Sequence, residues 1–285
     1  DNGDFATNLP LRLARSTRIN PLELAQTLAN HISTNDVIDR VEAAPPGFIN
    51  FYLKESWLQQ QVDMIRQNGR EFGNIDSGQG RKMMVEYVSV NPTGPVHVGH
   101  TRGAVLGSAL ANILEAAGFD VTREYYINDA GNQMQLFYRS VLARYRQELG
   151  YESDMPDNGY MGDYIVDLAK EIIDAEGPKF LELEEDQALV AIGDVGREKM
   201  VDTIKDDLAS IGVEFDNWFS ERTLFSSGEY QSTIDQLRKN DYLSEREGAL
   251  WFNTTILGED KDNVVVKSTG EPTYFASDIA YHRNK

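Results

Sequence analysis

The chain has 285 residues, 41% hydrophobic and 26% charged, which fits an ordinary folded protein of about two domains and leaves fibrous or disordered classes aside. Its 27 basic and 46 acidic residues give a net charge of −19, which argues against a general polyanion-binding surface while leaving room for a local basic patch. Cysteine is absent, which excludes disulfides and thiolate metal sites; no apolar run approaches the ~20 residues of a membrane span, and Asp1-Asn2-Gly3-Asp4 has no signal-peptide pattern, so a cytoplasmic protein with no membrane contact is expected.

Residues 1–68 read as a small α+β unit. Asn20-Pro21, followed by Leu22, Leu24, Ala25, Leu28 and Ala29, predicts a helix with Asn20 as its cap and Pro21 at its first position. Val41 to Gly47, with its two prolines and glycine, reads as a turn, and Phe48 to Leu53 as a strand. Trp57 to Gln67 is expected to be helical. The glycine-rich stretch 69–81 reads as a linker.

Residues 82–150 predict a strand, a crossover helix and a second strand. Met83 to Val88 is a short apolar run carrying one carboxylate, Glu86, and Asn91-Pro92-Thr93-Gly94-Pro95 ends it. Val105, Leu106, Ala109, Leu110, Ile113, Leu114 and Ala117 follow at helical spacing, with Gly118 as the stop and Val121 to Ile127 as the next strand. That order within this length fits a right-handed parallel unit. Residues 151–265 change character: acidic helices over Gly162–Ala175 and Gly196–Ile211, then strands at Ala249–Phe252 and Val264–Val266. They are expected to form an insertion, with 266–285 returning to the first fold. The chain lacks an initiator methionine and stops inside a predicted helix, so it reads as part of something longer.

The chemistry concentrates at His97-Val98-Gly99-His100. Two of only four histidines lie three residues apart at the start of an amphipathic helix. A helix start offers free N–H groups and a positive dipole end, and two imidazoles there can donate to a triphosphate. Gly99, without a side chain, lets a flat base approach the backbone. Taken alone, this tetrapeptide reads sooner as surface or capping residues of an ordinary helix, and as a metal site it lacks an evident third ligand; the strand and the Asn91–Pro95 turn before it shift the balance toward the phosphate reading. Tyr274 and Asp278, four residues apart, fall on one helix face.

Histidine-x-glycine-histidine after a first strand resembles the signature of class I aminoacyl-tRNA synthetases. The longer strings Val85 to His100, Tyr125 to Gln133 and Pro272 to His282 are similar to the arginyl-tRNA synthetase family. Gly3 to Asn8 and Pro46 to Asn50 resemble that family's additional amino-terminal domain. The resemblance implies an α/β protein: a Rossmann-like class I synthetase catalytic domain with an inserted α+β subdomain, preceded by a small α+β amino-terminal domain that contacts tRNA. It implies that His97, Gly99 and His100 bind ATP, with both histidines catalytic. It implies that Glu86, Ser89, Asn91, Tyr274 and Asp278 bind arginine, and assigns Asn128, Asp129 and Gly131 to a strand-end loop of less defined role. The implied partners are ATP with Mg²⁺, L-arginine and tRNA(Arg), in a monomer with no protein-bound metal and no tightly held cofactor.

The family's lysine-serine loop and anticodon-binding domain find no counterpart in these residues, so this segment alone is expected to be inactive. Two other readings share the histidine motif: a related nucleotidyltransferase or carboxylate ligase acting without tRNA, and a non-catalytic RNA-binding module derived from a synthetase.

Overall fold

The computed structural model describes residues 2–285, which divide into two compact units at Asn74 and Ile75.

In the first unit, strand β1 (Phe5–Thr7) leads into helices α1 (Leu9–Thr17) and α2 (Pro21–His31). The Asn20 side chain accepts from the N–H groups of Leu22 and Glu23, as its position before Pro21 predicts. Strands β2 (Ile38–Ala44) and β3 (Phe48–Leu53) complete an antiparallel sheet of order β1-β3-β2. The turn expected over Val41–Gly47 is therefore confined to Pro45-Pro46-Gly47. Val41 to Ala44 pair with β3 because Val41 and Ala43 pack against Ala25, Ala29 and Ile49. Helix α3 (Glu55–Asn68) follows.

The second unit begins within the stretch expected to be a free linker. The N–H groups of Ile75, Gly78 and Gly80 donate to the carbonyls of Ala116, Ala117 and Gly118. Gly78 is required there, since a Cβ would fall 2.5 Å from the Gly118 carbonyl carbon. Strand β4 (Lys82–Glu86), helix α4 (Val98–Ala116) and strand β5 (Asp120–Ile127) form the parallel unit, followed by helices α5 (Asn132–Glu148), α6 (Asp163–Glu176) and α7 (Glu185–Ser210). Strand β6 (Asn217–Ser220) then joins the same sheet, parallel to β5, in the order β4-β5-β6. The segment read as an insertion thus returns a strand to the sheet, one too short and too mixed in polarity to stand out in the sequence.

Helices α8 (Arg222–Ser226) and α9 (Glu229–Lys239) precede a separate antiparallel sheet of β7 (Leu243–Arg246), β8 (Ala249–Phe252) and β9 (Asn263–Val266). Helix α10 (Tyr274–Asn284) follows.

Tyr125, Tyr126 and Ile127 are all buried, so this end of β5 is covered on both faces. Tyr125 and Ile127 face the main core, built with Phe137, Val141, Ile165, Ile192 and Ile204 of α5, α6 and α7. Tyr126 faces the other way, against Leu224 of α8 and Ala280 and Tyr281 of α10.

Candidate active site

The three parallel strands end side by side, and the segments leaving their carboxyl ends carry most of the motif residues. Such ends are where open α/β sheets bind ligands.

After β4 the backbone is strained. Val88 and Ser89 hold φ of 66° and 44°, in a region that a β-branched valine avoids. The turn is held from outside. The Tyr125 hydroxyl donates to the Val90 carbonyl at 3.0 Å and accepts from its N–H at 3.2 Å, and the Tyr126 N–H donates to Ser89 Oγ at 3.1 Å. Farther on, the Tyr164 hydroxyl donates to the Thr93 carbonyl at 2.8 Å. Burial pushes that phenol up to about 12, so it stays a donor.

His97 and His100 cap α4 reciprocally. His97 Nδ1 accepts from the Gly99 N–H at 3.1 Å, and His100 Nδ1 accepts from the His97 N–H at 3.4 Å, with the rings stacked 3.5 Å apart. A backbone N–H can only donate, so each Nδ1 is unprotonated and each Nε2 carries the hydrogen. Burial and the neighbouring His97 hold His100 below the usual imidazole range. Two neutral Nε2–H donors therefore stand at a helix N-terminus, beside a cavity of about 610 Å³ lined by Asn91, Thr93, Gly94, Tyr160 and Tyr164 as well as both histidines. Gly99 has a local reason to be glycine: a Cβ would meet the His97 ring at 2.9 Å.

A second cavity, of about 550 Å³, is lined by Gly131, Asn132, Glu221, Phe225, Thr273, Tyr274 and Ser277 among others. Tyr274 and Gly131 are brought together there; the Tyr274 hydroxyl lies 3.9 Å from the Cβ that Gly131 lacks. Glu221, which the sequence did not single out, is the unusual member. It is 3% exposed, and its Oε2 has no hydrogen-bond partner. Burial raises its carboxyl above the usual range, and the charges of Asp129 and Asp278 add to this, while the Ser277 and Tyr126 hydroxyls oppose it. Asp278 is raised in turn by burial and by the charge of Glu86. The wall of this cavity carries the buried Glu221 together with Glu271 and its ion-pair partner Lys267, so the charge left over is negative, which fits a cationic ligand.

Glu86 is the last residue of β4 and remains partly exposed. Strand register sets it beside Glu124, a juxtaposition of like charges that costs energy unless a donor intervenes. The Tyr281 hydroxyl lies between them, hydrogen-bonded to Glu124 and 3.1 Å from Glu86, and Asn217 donates to Glu124 at 2.5 Å. Lys285 Nζ stands 2.5 Å from Glu86 and 3.9 Å from Glu124. Ser89 Oγ donates to Glu86 at 3.2 Å, and Asn91 hydrogen-bonds Gln133. Glu86, Ser89 and Asp278 line neither cavity wall. Of the strand-end loop, Asn128 is half-buried and Asp129 is wholly buried behind the cavity, paired with Arg197. Among the described residues, no group of three or more histidine, aspartate or glutamate side chains is arranged to hold a metal ion.

Residues 61–285 match the family model "tRNA synthetases class I (R), catalytic domain", and residues 1–53 match "Arginyl tRNA synthetase N terminal domain". The chain belongs to the arginyl-tRNA synthetase family. It is 52% identical over 283 residues to an arginine–tRNA ligase of Dehalococcoides mccartyi, an alignment covering 99% of this chain and 51% of that protein. A Carboxydothermus hydrogenoformans arginine–tRNA ligase is 48% identical over 284 residues, covering all of this chain and 51% of the relative. This family member therefore spans about half the length of the curated relatives it matches. Among solved structures, an arginyl-tRNA synthetase from Campylobacter jejuni aligns with a TM-score of 0.71 at 34% identity, over 81% of this chain and 51% of that one. The Thermus thermophilus arginyl-tRNA synthetase aligns over 99% of this chain and 47% of its own, with a TM-score of 0.56 at 24% identity, a likeness of fold.

Proposed function

We propose that this chain is the ATP- and arginine-binding portion of an arginine–tRNA ligase. The observation that carries the reading is the convergence, near the carboxyl ends of one parallel sheet, of a two-histidine helix cap and a cavity with the buried Glu221 in its wall. The first suits a triphosphate and the second a guanidinium.

In this reading the arginine carboxylate attacks the α-phosphorus of ATP, forming arginyl-adenylate and expelling pyrophosphate. The tRNA terminal ribose hydroxyl then takes the arginyl group and AMP leaves. The Nε2–H groups of His97 and His100 donate to phosphate oxygens as negative charge builds, and Gly99 lies beneath adenine. Neutral imidazoles suit this task because they stabilise developing charge without giving up a proton. Mg²⁺ enters with ATP as part of the substrate. Ser89 and Asn91 hold the amino-acid head group.

The guanidinium is planar, permanently charged and carries five donors. Tyr274 and Glu221, both in the cavity wall, receive it, with Asp278 and Glu86 adding negative charge from outside that wall. Glu221 is central to this reading because it is a buried carboxylate in the cavity wall. Citrulline has nearly the same shape without the charge, and would leave that carboxylate buried and unpaired. Residues 1–68 serve as the tRNA-contacting domain.

The test is aminoacylation of total tRNA by the full-length protein that contains this sequence, with ATP and labelled arginine, lysine or citrulline. Arginine alone is expected to be transferred. Charging with a different amino acid, or ATP cleavage driven by another carboxylate without tRNA, overturns the reading.

A further inference from the structure

The chain on both sides of Glu221 is fastened. Ser220 before it and Arg222 after it are fastened to a single carboxylate, that of Asp129. Ser220 Oγ donates to Asp129 at 2.7 Å, and the Arg222 N–H donates to the same group at 3.2 Å. The Asp129 side chain is fully buried and takes a third contact from Arg197 of α7, at 3.1 Å. The Glu221 N–H extends the ladder by donating to the Ile127 carbonyl at 3.0 Å.

The Arg222 side chain is anchored as well. It donates to Asp194 at 2.5 Å, and Asp194 also accepts from the Tyr138 hydroxyl at 2.7 Å. Both flanks of Glu221 are thus tied to Asp129, just beyond β5, and the Arg222 flank also to Asp194 of α7, which Tyr138 of α5 supports. Glu221 itself is part of the cavity wall.

A largely buried ion pair such as Asp129–Arg197 is costly to build, and replacing one with apolar groups is often neutral or stabilising. Its use lies in fixing geometry. Recognition of a guanidinium by one carboxylate is sensitive to small displacements, since charge-assisted hydrogen bonds are short and directional. We propose that Asp129, held by Arg197, is a positioning residue that fixes Glu221 at the cavity wall, so that arginine is preferred over neutral analogues of the same shape. Asp129 never touches the ligand; it acts through residues 220 and 222. This rests on the reading of the second cavity as the guanidinium site.

The experiment is a double-mutant cycle on the 285-residue chain, with L-arginine and citrulline binding read by titration calorimetry and folding checked by thermal melting. Glu221→Gln is expected to raise the arginine Kd by about 10- to 100-fold, the range for loss of a charged hydrogen bond. Ser220→Ala, which removes one clasp and leaves all charges in place, is expected to raise it by about three- to tenfold. In the Glu221→Gln background Ser220→Ala is expected to change arginine affinity by less than about twofold, because the clasp has nothing left to position. Asp129→Asn should behave as Ser220→Ala does, and more strongly; if it fails to fold, the Ser220 cycle still decides. Additive effects of Ser220→Ala and Glu221→Gln, or unchanged affinity in Ser220→Ala while Glu221→Gln weakens binding, overturn the positioning role and leave the cavity assignment standing. No saturable arginine binding by the unsubstituted chain, or no effect of Glu221→Gln, overturns the cavity assignment and the positioning role with it.

Discussion

The His97 and His100 imidazoles each accept a backbone N–H through Nδ1, so substitution at either removes a phosphate donor and a helix cap together. The two losses differ in size. A lost cap costs about 1 kcal/mol of stability, whereas a lost preorganised donor costs about 10²–10³ in rate. In the full-length protein, His97→Ala and His100→Ala should each slow adenylate formation by about that factor with little change in arginine affinity. Single-turnover adenylate formation measures this, and a near-normal rate in either variant removes the phosphate role. A second expectation follows from Glu221 and Asp278, whose carboxyls burial raises above their ordinary values. A guanidinium favours their anionic forms, so binding displaces any proton they hold. Arginine affinity should therefore be constant near neutrality and fall as pH drops into the raised carboxyl range, by up to about tenfold per pH unit for each proton displaced. Calorimetry in buffers of different ionisation enthalpy checks it; affinity independent of pH, with no proton release, contradicts it. The histidines were legible because two scarce residues stood at a helix start. Glu221 was not, being one of 46 acidic residues and distinguished only by its burial. The available signal was weak: Glu221 follows Trp218-Phe219 after one intervening serine, whereas Glu86 directly follows the apolar run Met83-Met84-Val85.

Helices α5 and α7 pack through glycines, and two of these make opposite predictions. A Cβ at Gly193 would lie 2.1 Å from the Tyr138 ring, while one at Gly196 would meet Val141 at an ordinary 3.4 Å. Replacing glycine by alanine inside a helix gains roughly 0.5–1 kcal/mol from the backbone. Overpacking a filled core costs about 1–3 kcal/mol. Tyr138 is buried and tied to Asp194 through its hydroxyl, so it has little room to yield, and overpacking should win at Gly193. Gly193→Ala is expected to lower stability by about 1–2 kcal/mol and Gly196→Ala to leave it unchanged or slightly raised, as read from urea unfolding midpoints. Equal effects would show that the close contact at Gly193 does not govern packing here. This contact was invisible in the sequence, where both glycines simply interrupt a helical pattern. Elements with strong local rules were legible: β3 falls on Phe48–Leu53 as its composition predicts, and α2 begins at its Asn-Pro cap. Strand β6 was missed because four residues joining a buried sheet edge need no periodicity, only a neighbour to pair with.

At the scale of the whole molecule, charge and apolar exposure oppose each other. Residues 1–74 hold 7 basic and 9 acidic residues, whereas the other 211 residues hold 20 and 37, so nearly all of the net charge of −19 belongs to the second unit. That same unit exposes an apolar stripe on α4: Leu106, Leu110 and Ile113 follow at i, i+4 and i+7 and are 71%, 48% and 65% exposed, with Val105 beside them at 57%. A stripe of that kind favours burial against another surface, which for this chain alone means another copy. Mutual repulsion of strongly acidic units resists that approach. Which effect wins depends on salt, because the Debye length falls from about 30 Å at roughly 0.01 M to about 3 Å at roughly 1 M, while apolar attraction is not screened. The 285-residue chain is therefore expected to sediment as a monomer at low salt and to associate reversibly as salt rises. Leu106→Glu, at a position exposed enough to leave the fold intact, should suppress the association across the whole salt range. Sedimentation velocity at matched protein concentrations reads both effects. A monomer at every salt concentration would show that the α4 stripe is too small to drive contact, and association that weakens with salt would assign it to ion pairing instead.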